Sequence, residues 1–400
     1  MIAVVAIFWI CLAVCVYVYF GYPALLWILS RLRPRPIRAG DVTPLVTFVI
    51  AAYNEEGVIG EKIENTLALD YPPDRLEVLV VSNGSVDRTN EIVASYVDPR
   101  VRLLALPEPG KMRALNEGAA AARGEILVFT DADFLLDPHT LRLMASKFAD
   151  PEVGGVCGSR NTTIRREGDA TGAGEGLYAR WDKWQKTLES RIGSVFAADG
   201  LLYAIRKELY VPMASMHGAD DISISVQIPL QGYRLVYEPK ATAFERAGVQ
   251  AEQEFGRRIR VTNHSVRALL SLRSHLFRHG FYSLELLSHK LVRHMVPFFL
   301  IPLFAASAVL VTRSPFYGLI FAGQAAVYAL AIAGWVLRRR PIGRAKPLFV
   351  PYYFCFVNAA ALFGLLSIAH GRKQAAWTPR GGDALPSATE SPDPAGRSIR

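Results

Sequence analysis

Apolar positions follow two different patterns along the chain, one continuous and one broken into short runs. Ile2 to Leu29 is almost uninterrupted apolar sequence, long enough to cross a bilayer. Two further stretches of this kind, Met295 to Val311 and Phe316 to Leu337, flank a short turn at Arg313-Ser314-Pro315. A fourth, Leu348 to Ile368, contains Asn358 and is followed by His370, Arg372, Lys373 and Arg380. A full span there would put those cations outside, so the segment reads either as a membrane-crossing helix or as a re-entrant or interfacial one.

Between these stretches the period changes. Strand-length apolar runs at Leu45 to Ala51, Leu76 to Val81, Val101 to Leu106 and Glu125 to Thr130 alternate with helical spacing over Glu55 to Leu69, Asp87 to Tyr96 and Lys111 to Ala122. This alternation predicts an α/β fold with a doubly wound, mostly parallel sheet, whose ligands bind at the carboxyl ends of the strands. From Asp150 to Ala247 the pattern is mixed, with fewer clear helices. Between Ser271 and Arg293, Leu and Phe alternate with His, Arg and Lys, which predicts helices lying in the membrane interface. Gly381 to Arg400, rich in Pro, Ser, Gly, Asp and Arg, is expected to be disordered.

The expected organisation is therefore an N-terminal transmembrane helix (1–30), a basic linker (31–44), a ligand-binding half (45–150), a second half (151–270), interfacial helices (271–294), two to three membrane helices (295–370) and a polar tail (371–400). No Lys or Arg precedes the first apolar stretch, whereas Arg31, Arg33, Arg35 and Arg38 follow it at once. Neither a basic start nor a small-residue cleavage site is present, so the stretch reads as an anchor and not an export signal. The basic excess places the N-terminus outside and the region after Arg31 in the cytoplasm, on the inner face of the cell membrane.

Composition agrees with a membrane protein: 51% of residues are hydrophobic and the net charge is +9. That charge is concentrated beside the apolar stretches, at Arg31 to Arg38, Arg257 to Arg278 and Arg338 to Lys346. Anionic lipid headgroups are the expected partner, and nucleic acid is not. Cys11, Cys15, Cys157 and Cys355 form no CxxC pair, which argues against a disulfide framework or a zinc site. Asn161-Thr162-Thr163 and Asn263-His264-Ser265 match the glycosylation pattern but are idle on a cytoplasmic domain.

The candidate chemistry sits at the predicted strand ends. Asp131-Ala132-Asp133 follows the fourth run directly, and two carboxylates at the mouth of a buried strand are costly unless compensated. A Mg²⁺ or Mn²⁺ ion with oxygen ligands, completed by phosphate oxygens, is an economical compensator. Asn54-Glu55-Glu56 closes the first strand, Asn83-Gly84-Ser85-Val86-Asp87 the second, and Gly110-Lys111 opens a helix where a phosphate can be met. Taken singly, each of these is also explained as a helix cap or a turn. Their order, at four successive strand ends, is what gives them weight.

That series resembles the nucleotide-binding half of glycosyltransferase family 2, inverting enzymes of the A-type fold. The resemblance covers roughly residues 45–265 and includes Ala51 to Glu56, Asn83 to Thr89, Gly110 to Gly118, Asp131 to Asp133, Ala198 to Arg206, and Gly218-Ala219-Asp220-Asp221. It implies donor contacts at Ala52, Tyr53, Asn54, Glu55, Asn83, Ser85, Lys111, Asp131, Arg257 and Arg260, and a metal held by Asp133 with Asp131. It further implies acceptor contacts at Asp199 and Gly200, and Asp221 as the catalytic base beside Asp220. Two positions depart from the family. Asn83 stands where an Asp usually accepts from the uracil N–H, and an Asn accepts without charge. Arg257 and Val261 replace the Gln and Trp of the Q-x-x-R-W found in processive members, leaving Arg260; loss of the Trp tilts the expectation towards single or limited transfer.

The function implied is an inverting hexosyltransferase that moves a sugar from a nucleotide-sugar, UDP-linked by expectation, to a membrane-associated glycan or lipid-linked acceptor of the cell envelope. One alternative is synthesis of a polyprenyl-phosphate sugar. Another is a non-catalytic scaffold among the partner subunits of a polysaccharide system, which retention of Asp131, Asp133, Lys111 and Asp221 opposes.

Overall fold

Four parallel strands carry the first half of the domain: β1 (Val46–Ala52), β2 (Leu76–Asn83), β3 (Val101–Leu106) and β4 (Ile126–Phe129). With β5 (Phe134–Leu136), β6 (Val153–Asn161), β7 (Tyr203–Arg206) and β8 (Arg234–Glu245) they form one sheet in the order β3-β2-β1-β4-β7-β6-β8-β5. This computed structural model describes residues 1–161, 170–213, 219–245, 251–274 and 277–370. The polar tail, Thr162-Thr163 and Gly218 lie outside the described residues.

The strands are apolar on both faces because both faces are covered. Along β1, Phe48 and Ile50 enter one core while Val49 enters the other. The helices α1 (Ile2–Leu32), α2 (Ile59–Leu67), α3 (Thr89–Ala94), α4 (Lys111–Ala121) and α5 (Thr140–Ala145) belong to the first half and its anchor. On α2 the buried Ile59, Ile63 and Thr66 recur at helical spacing, and α4 buries Ala114, Leu115, Gly118 and Ala119. A Cβ on Gly118 would lie 2.6 Å from a Val49 methyl, so the small residue lets α4 sit close on the sheet.

The second half differs from a simple doubly wound repeat in one respect that matters for the site. β7 runs antiparallel to β4, with Phe129 opposite Tyr203. Its entry therefore lies at the edge where the parallel strands exit, and Asp199-Gly200 is delivered to the ends of β1, β2 and β4.

Helix α6 (Ala170–Ile192) was not signalled by the sequence, whose start is interrupted by Gly172, Gly174 and Gly176. Its buried face is polar, with Gln185, Lys186, Glu189 and Ser190, so no apolar stripe reveals it. Gly174 has a packing reason: a Cβ there would fall 2.4 Å from the Tyr353 ring.

Helices α7 (Asp220–Ser225) and α8 (Ala251–Ser271) close the second half, before α9 (Phe281–Leu310), α10 (Pro315–Leu337) and α11 (Lys346–Ala369). Among the described residues four helices, α1, α9, α10 and α11, are long and apolar enough to cross a membrane. Leu348 to Ile368 thus falls within a continuous helix of spanning length. Within the 271–294 stretch expected in the membrane interface, the residues from Phe281 on form the beginning of α9. Glu189 takes the imidazole of His289, and Asp182 is approached by both His289 and Arg293, so the polar face is buried against α6.

Candidate functional site

The end of β1 and the loop after β2 are tied together by reciprocal hydrogen bonds. Asn54 N–H donates to Ser85 Oγ (3.1 Å), and Val86 N–H donates to Asn54 Oδ1 (2.9 Å). Glu55 N–H donates to Thr89 Oγ1 (2.9 Å), and Glu56 N–H to Asp87 Oδ2 (3.0 Å). Asn54 takes a left-handed conformation, φ 54°, which its short polar side chain tolerates and which turns the chain back across β2. Ala52 carbonyl accepts weakly from Ser85 at 3.5 Å, and Tyr53 sits in the same turn.

The loop ahead of α4 packs directly on this edge. Gly84, at φ +72°, approaches so closely that a Cβ would lie 2.7 Å from Pro109 N. Asn83 Oδ1 accepts a short hydrogen bond from Gly110 N–H, so its oxygen fixes the start of α4. Ala52, Tyr53, Asn54, Glu55, Asn83, Ser85 and Lys111 are thereby gathered along one edge.

Lys111 joins the two halves. Its ammonium lies 3.1 Å from Asp131 Oδ1 and 3.1 Å from Asp220 Oδ2, with 30% of its side chain exposed. Burial acts to lower its pKa, but the charges of Asp131 and Asp220 prevail and raise it, so it is a permanent cation. Asp221 opens α7 beside Asp220 and borders Gly200, whose Cβ position would be 3.4 Å from Asp221 Oδ2. Burial, then the neighbouring Asp220 charge, pushes the Asp221 carboxyl up to about 7, against the Ile222 N–H that it accepts at 2.8 Å. Asp199 is held by Lys186 Nζ at 2.6 Å. Asp131, Lys111, Asp220, Asp221 and the Asp199-Gly200 segment thus meet at one edge.

Behind Asp131-Ala132-Asp133 lies a residue that sequence reasoning missed. Lys62 is fully buried, and its ammonium donates to Thr130 Oγ1 (3.1 Å) and to the Phe134 carbonyl (2.6 Å). It therefore grips both ends of the turn that carries the two aspartates. Burial lowers its pKa to about 7, opposed by the charges of Asp131 and Asp133. Thr130 Oγ1 in turn donates to the Leu201 carbonyl (2.8 Å), linking the turn to the segment after Gly200. A signal was present: a lysine on the apolar face of α2.

A divalent cation fits this donor set. Asp131 and Asp133 present hard carboxylate oxygens on a partly exposed turn. Among the described residues no three His, Cys, Asp or Glu side chains converge, so diphosphate or water oxygens would complete the shell.

The two arginines expected at the donor fall on α8. Arg257 is paired with Glu254 (2.8 Å) and Glu175 (3.1 Å), and these contacts hold it to α6 and α8. Arg260 lies one turn ahead of His264, whose carbonyl accepts from Ala219 N–H at 3.2 Å immediately before α7. Burial and then the Arg260 charge lower the His264 pKa. Arg260 is thus near the entry to Asp220, whereas Arg257 is engaged further along.

The sheet has counterparts in known proteins. Residues 47–197 match the model of glycosyl transferase family 2, so that segment carries a domain of this family, and the sheet has the A-type fold. It is 30% identical over 203 residues to a poly-beta-1,6-N-acetyl-D-glucosamine synthase of Staphylococcus aureus, covering 49% of this chain and 48% of that protein. The synthase of the same description from Staphylococcus epidermidis is 28% identical over 209 residues, with the same shares covered. The chain therefore spans about half the length of the curated relatives it matches. Among solved structures, the mannosyltransferase PcManGT from Pyrobaculum calidifontis, in complex with GDP-Man and Mn²⁺, aligns over 92% of this chain and 100% of its own. Its TM-score is 0.68 and its identity 25%.

Proposed function

We propose that this protein is a membrane-bound inverting glycosyltransferase that transfers a sugar from a nucleotide-sugar to a membrane-associated glycan or lipid-linked acceptor in cell-envelope polysaccharide synthesis. The observation that carries the reading is the Lys111 bridge, which sets Asp131 and Asp220 each 3.1 Å from one ammonium, with Asp221 beside them.

In this reading the turn after β1, Asn83 and Ser85 seat the nucleotide, and Lys111 moves from its carboxylates to the diphosphate, whose charge grows as the bond to the sugar breaks. A Mg²⁺ or Mn²⁺ ion held by Asp133 and Asp131 would supply further neutralisation of the leaving diphosphate. On the opposite side of the sugar, Asp221 takes the proton of the attacking acceptor hydroxyl. A carboxyl raised to about 7 is a better proton acceptor than an ordinary one while still ionising at neutral pH. Asp199 and Gly200 border the acceptor, and Arg260 attends the donor from α8.

The donor is taken to be a UDP-sugar, in line with the N-acetylglucosamine polymer named for the curated relatives. The GDP-Man bound by the archaeal neighbour supports a GDP-sugar as the second reading. With the N-terminus outside, the domain faces the cytoplasm, where nucleotide-sugars are found. The test is release of nucleotide from a panel of UDP- and GDP-sugars by the full chain in native membranes, with chelator and with Mn²⁺ or Mg²⁺ restored. Turnover of one donor that chelation abolishes and metal restores supports the reading; no turnover of any donor with membrane lipids present contradicts it.

A further inference from the structure

Outside the Lys111 cluster, cations and aromatic rings gather where α6, α8, α9 and α11 meet. Two guanidinium groups lie over the ring of Tyr178 on α6: Arg258 of α8 at 4.9 Å and Arg293 of α9 at 4.6 Å from its centroid. Arg293 also covers Trp181 at 4.5 Å, and Arg258 covers Tyr353 at 5.5 Å. A guanidinium held over an aromatic face still has N–H groups to donate in hydrogen bonds.

The two arginines differ in how their edges are used. Arg258 donates to Glu254 (2.9 Å) and to the Tyr353 hydroxyl (2.6 Å), so it is satisfied. Arg293 is not. Its acidic neighbour among the described residues, Asp182, is 3.6 Å away and is shared with Lys186 at 3.2 Å and His289 at 3.4 Å. Arg293 Nη2 is buried with no hydrogen-bond partner, and Nε2 of the next residue, His294, is likewise buried without one. A buried, unsatisfied guanidinium edge is costly, and an anion with several oxygens relieves it.

Position limits what that anion is. Arg293 lies within α9 just before its apolar stretch, which begins at Met295, and α6 exposes Leu177 (40%) and Trp184 (41%). Trp, Tyr and Arg at such a place mark headgroup depth. The cluster also reaches the reaction centre, because Lys186 contacts both Asp182 and Asp199.

We propose that Arg293, with Arg258 and the Tyr178–Trp181 face, forms a binding site for the phosphate group of a membrane lipid on the acceptor side of the active site. The glycosyltransferase reading is needed only for taking the bound lipid to be the acceptor. The phosphate binds the Arg293 edge, and the lipid chain runs along the apolar stretch of α9 that follows it from Met295.

The experiment places the full-length chain in phosphatidylcholine nanodiscs doped with undecaprenyl phosphate or with dioleoyl phosphatidic acid, and measures retained phospholipid by native mass spectrometry. Wild type, Arg293→Gln and Arg293→Lys are compared, with Mn²⁺-dependent nucleotide-sugar binding measured on each sample as the control for folding. The wild type retains phosphate lipid over phosphatidylcholine, Arg293→Gln weakens retention about tenfold, and Arg293→Lys weakens it less, with nucleotide-sugar binding unchanged. Preference for undecaprenyl phosphate identifies an acceptor lipid. Equal retention of both lipids supports the phosphate site and overturns its acceptor assignment.

Retention no better than phosphatidylcholine, or wild-type retention by every variant that still binds nucleotide-sugar, overturns the site. If Arg293→Gln loses nucleotide-sugar binding as well, Arg293→Lys decides, because loss of the forked edge alone must weaken retention. Loss of nucleotide-sugar turnover in the wild type would instead refute the glycosyltransferase reading and leave the lipid measurement standing.

Discussion

Replacing Asp220 with Asn tests the electrostatics of the proposed base. The Asp221 carboxyl rises from the ordinary 3.8 to about 7, which makes its ionisation about 4 kcal/mol harder than in water. Burial is the larger cause and the Asp220 charge the second, so Asp220 contributes less to the rise than burial does. Asp220→Asn removes that charge and releases Lys111 from one of its two carboxylates, and both changes favour ionised Asp221. The acidic limb of kcat/KM, which reports the free enzyme, is expected near pH 7 in the wild type and about one pH unit lower in Asp220→Asn. Nucleotide release, followed from pH 5 to 9 under saturating metal, provides the assay; the midpoint is read separately from the amplitude, because losing Asp220 also lowers the maximal rate. Stability gives a second check. A carboxyl with a raised pKa keeps in the folded state the proton that the unfolded chain releases, so its contribution is complete below about pH 3.8 and is lost as pH rises through about 7. In Asp220→Asn that loss is smaller and ends at lower pH. A limb that stays put or moves up would refute the assignment of Asp220 as the charge that raises Asp221.

Lys62→Met removes both donors from the turn that carries Asp131 and Asp133, and is expected to raise the metal concentration for half-maximal turnover about tenfold. Because burial lowers Lys62 to about 7, the folded protein gains stability as pH climbs from about 7 towards 10.5. Melting temperature against pH in detergent should show that slope in the wild type and a flatter one in the variant. Gly174→Leu drives a side chain into the Tyr353 ring and should cost about 1–3 kcal/mol, read as a lower melting temperature; an unchanged melt contradicts the close approach of α6 and α11. Asn83→Asp restores a charged acceptor towards the base and should lower KM for a UDP-sugar by up to tenfold relative to a GDP-sugar, as steady-state kinetics would show.

Much of the first half of the domain was legible in the sequence, because its strands are short apolar runs closed by polar turns. Val101–Leu106 has the expected bounds, and β1, β2 and β4 differ from expectation by one or two residues at their ends. What the sequence could not carry was the convergence of Lys111, Asp131 and Asp220. It depends on β7 entering antiparallel beside β4, and nothing in Tyr203–Arg206 announces its direction. Helix α6 escaped because the face it buries is polar, and the early start of α9 escaped for the matching reason: its polar residues are answered by Asp182 and Glu189 of α6 and not by headgroups alone. Lys62 was visible as a cation on an apolar face, but its partners lie on the β4–β5 turn, and only the fold brings them to it.

The central claim is that Asp221 acts in transfer at a site where donor binding belongs to other residues. Nucleotide-sugar binding by calorimetry, beside single-turnover transfer in membranes, compares the wild type with Asp221→Asn. The account predicts donor affinity within about threefold of wild type and transfer slowed at least about a hundredfold, the lower end of what a positioned base contributes. Transfer at the wild-type rate in Asp221→Asn would contradict it.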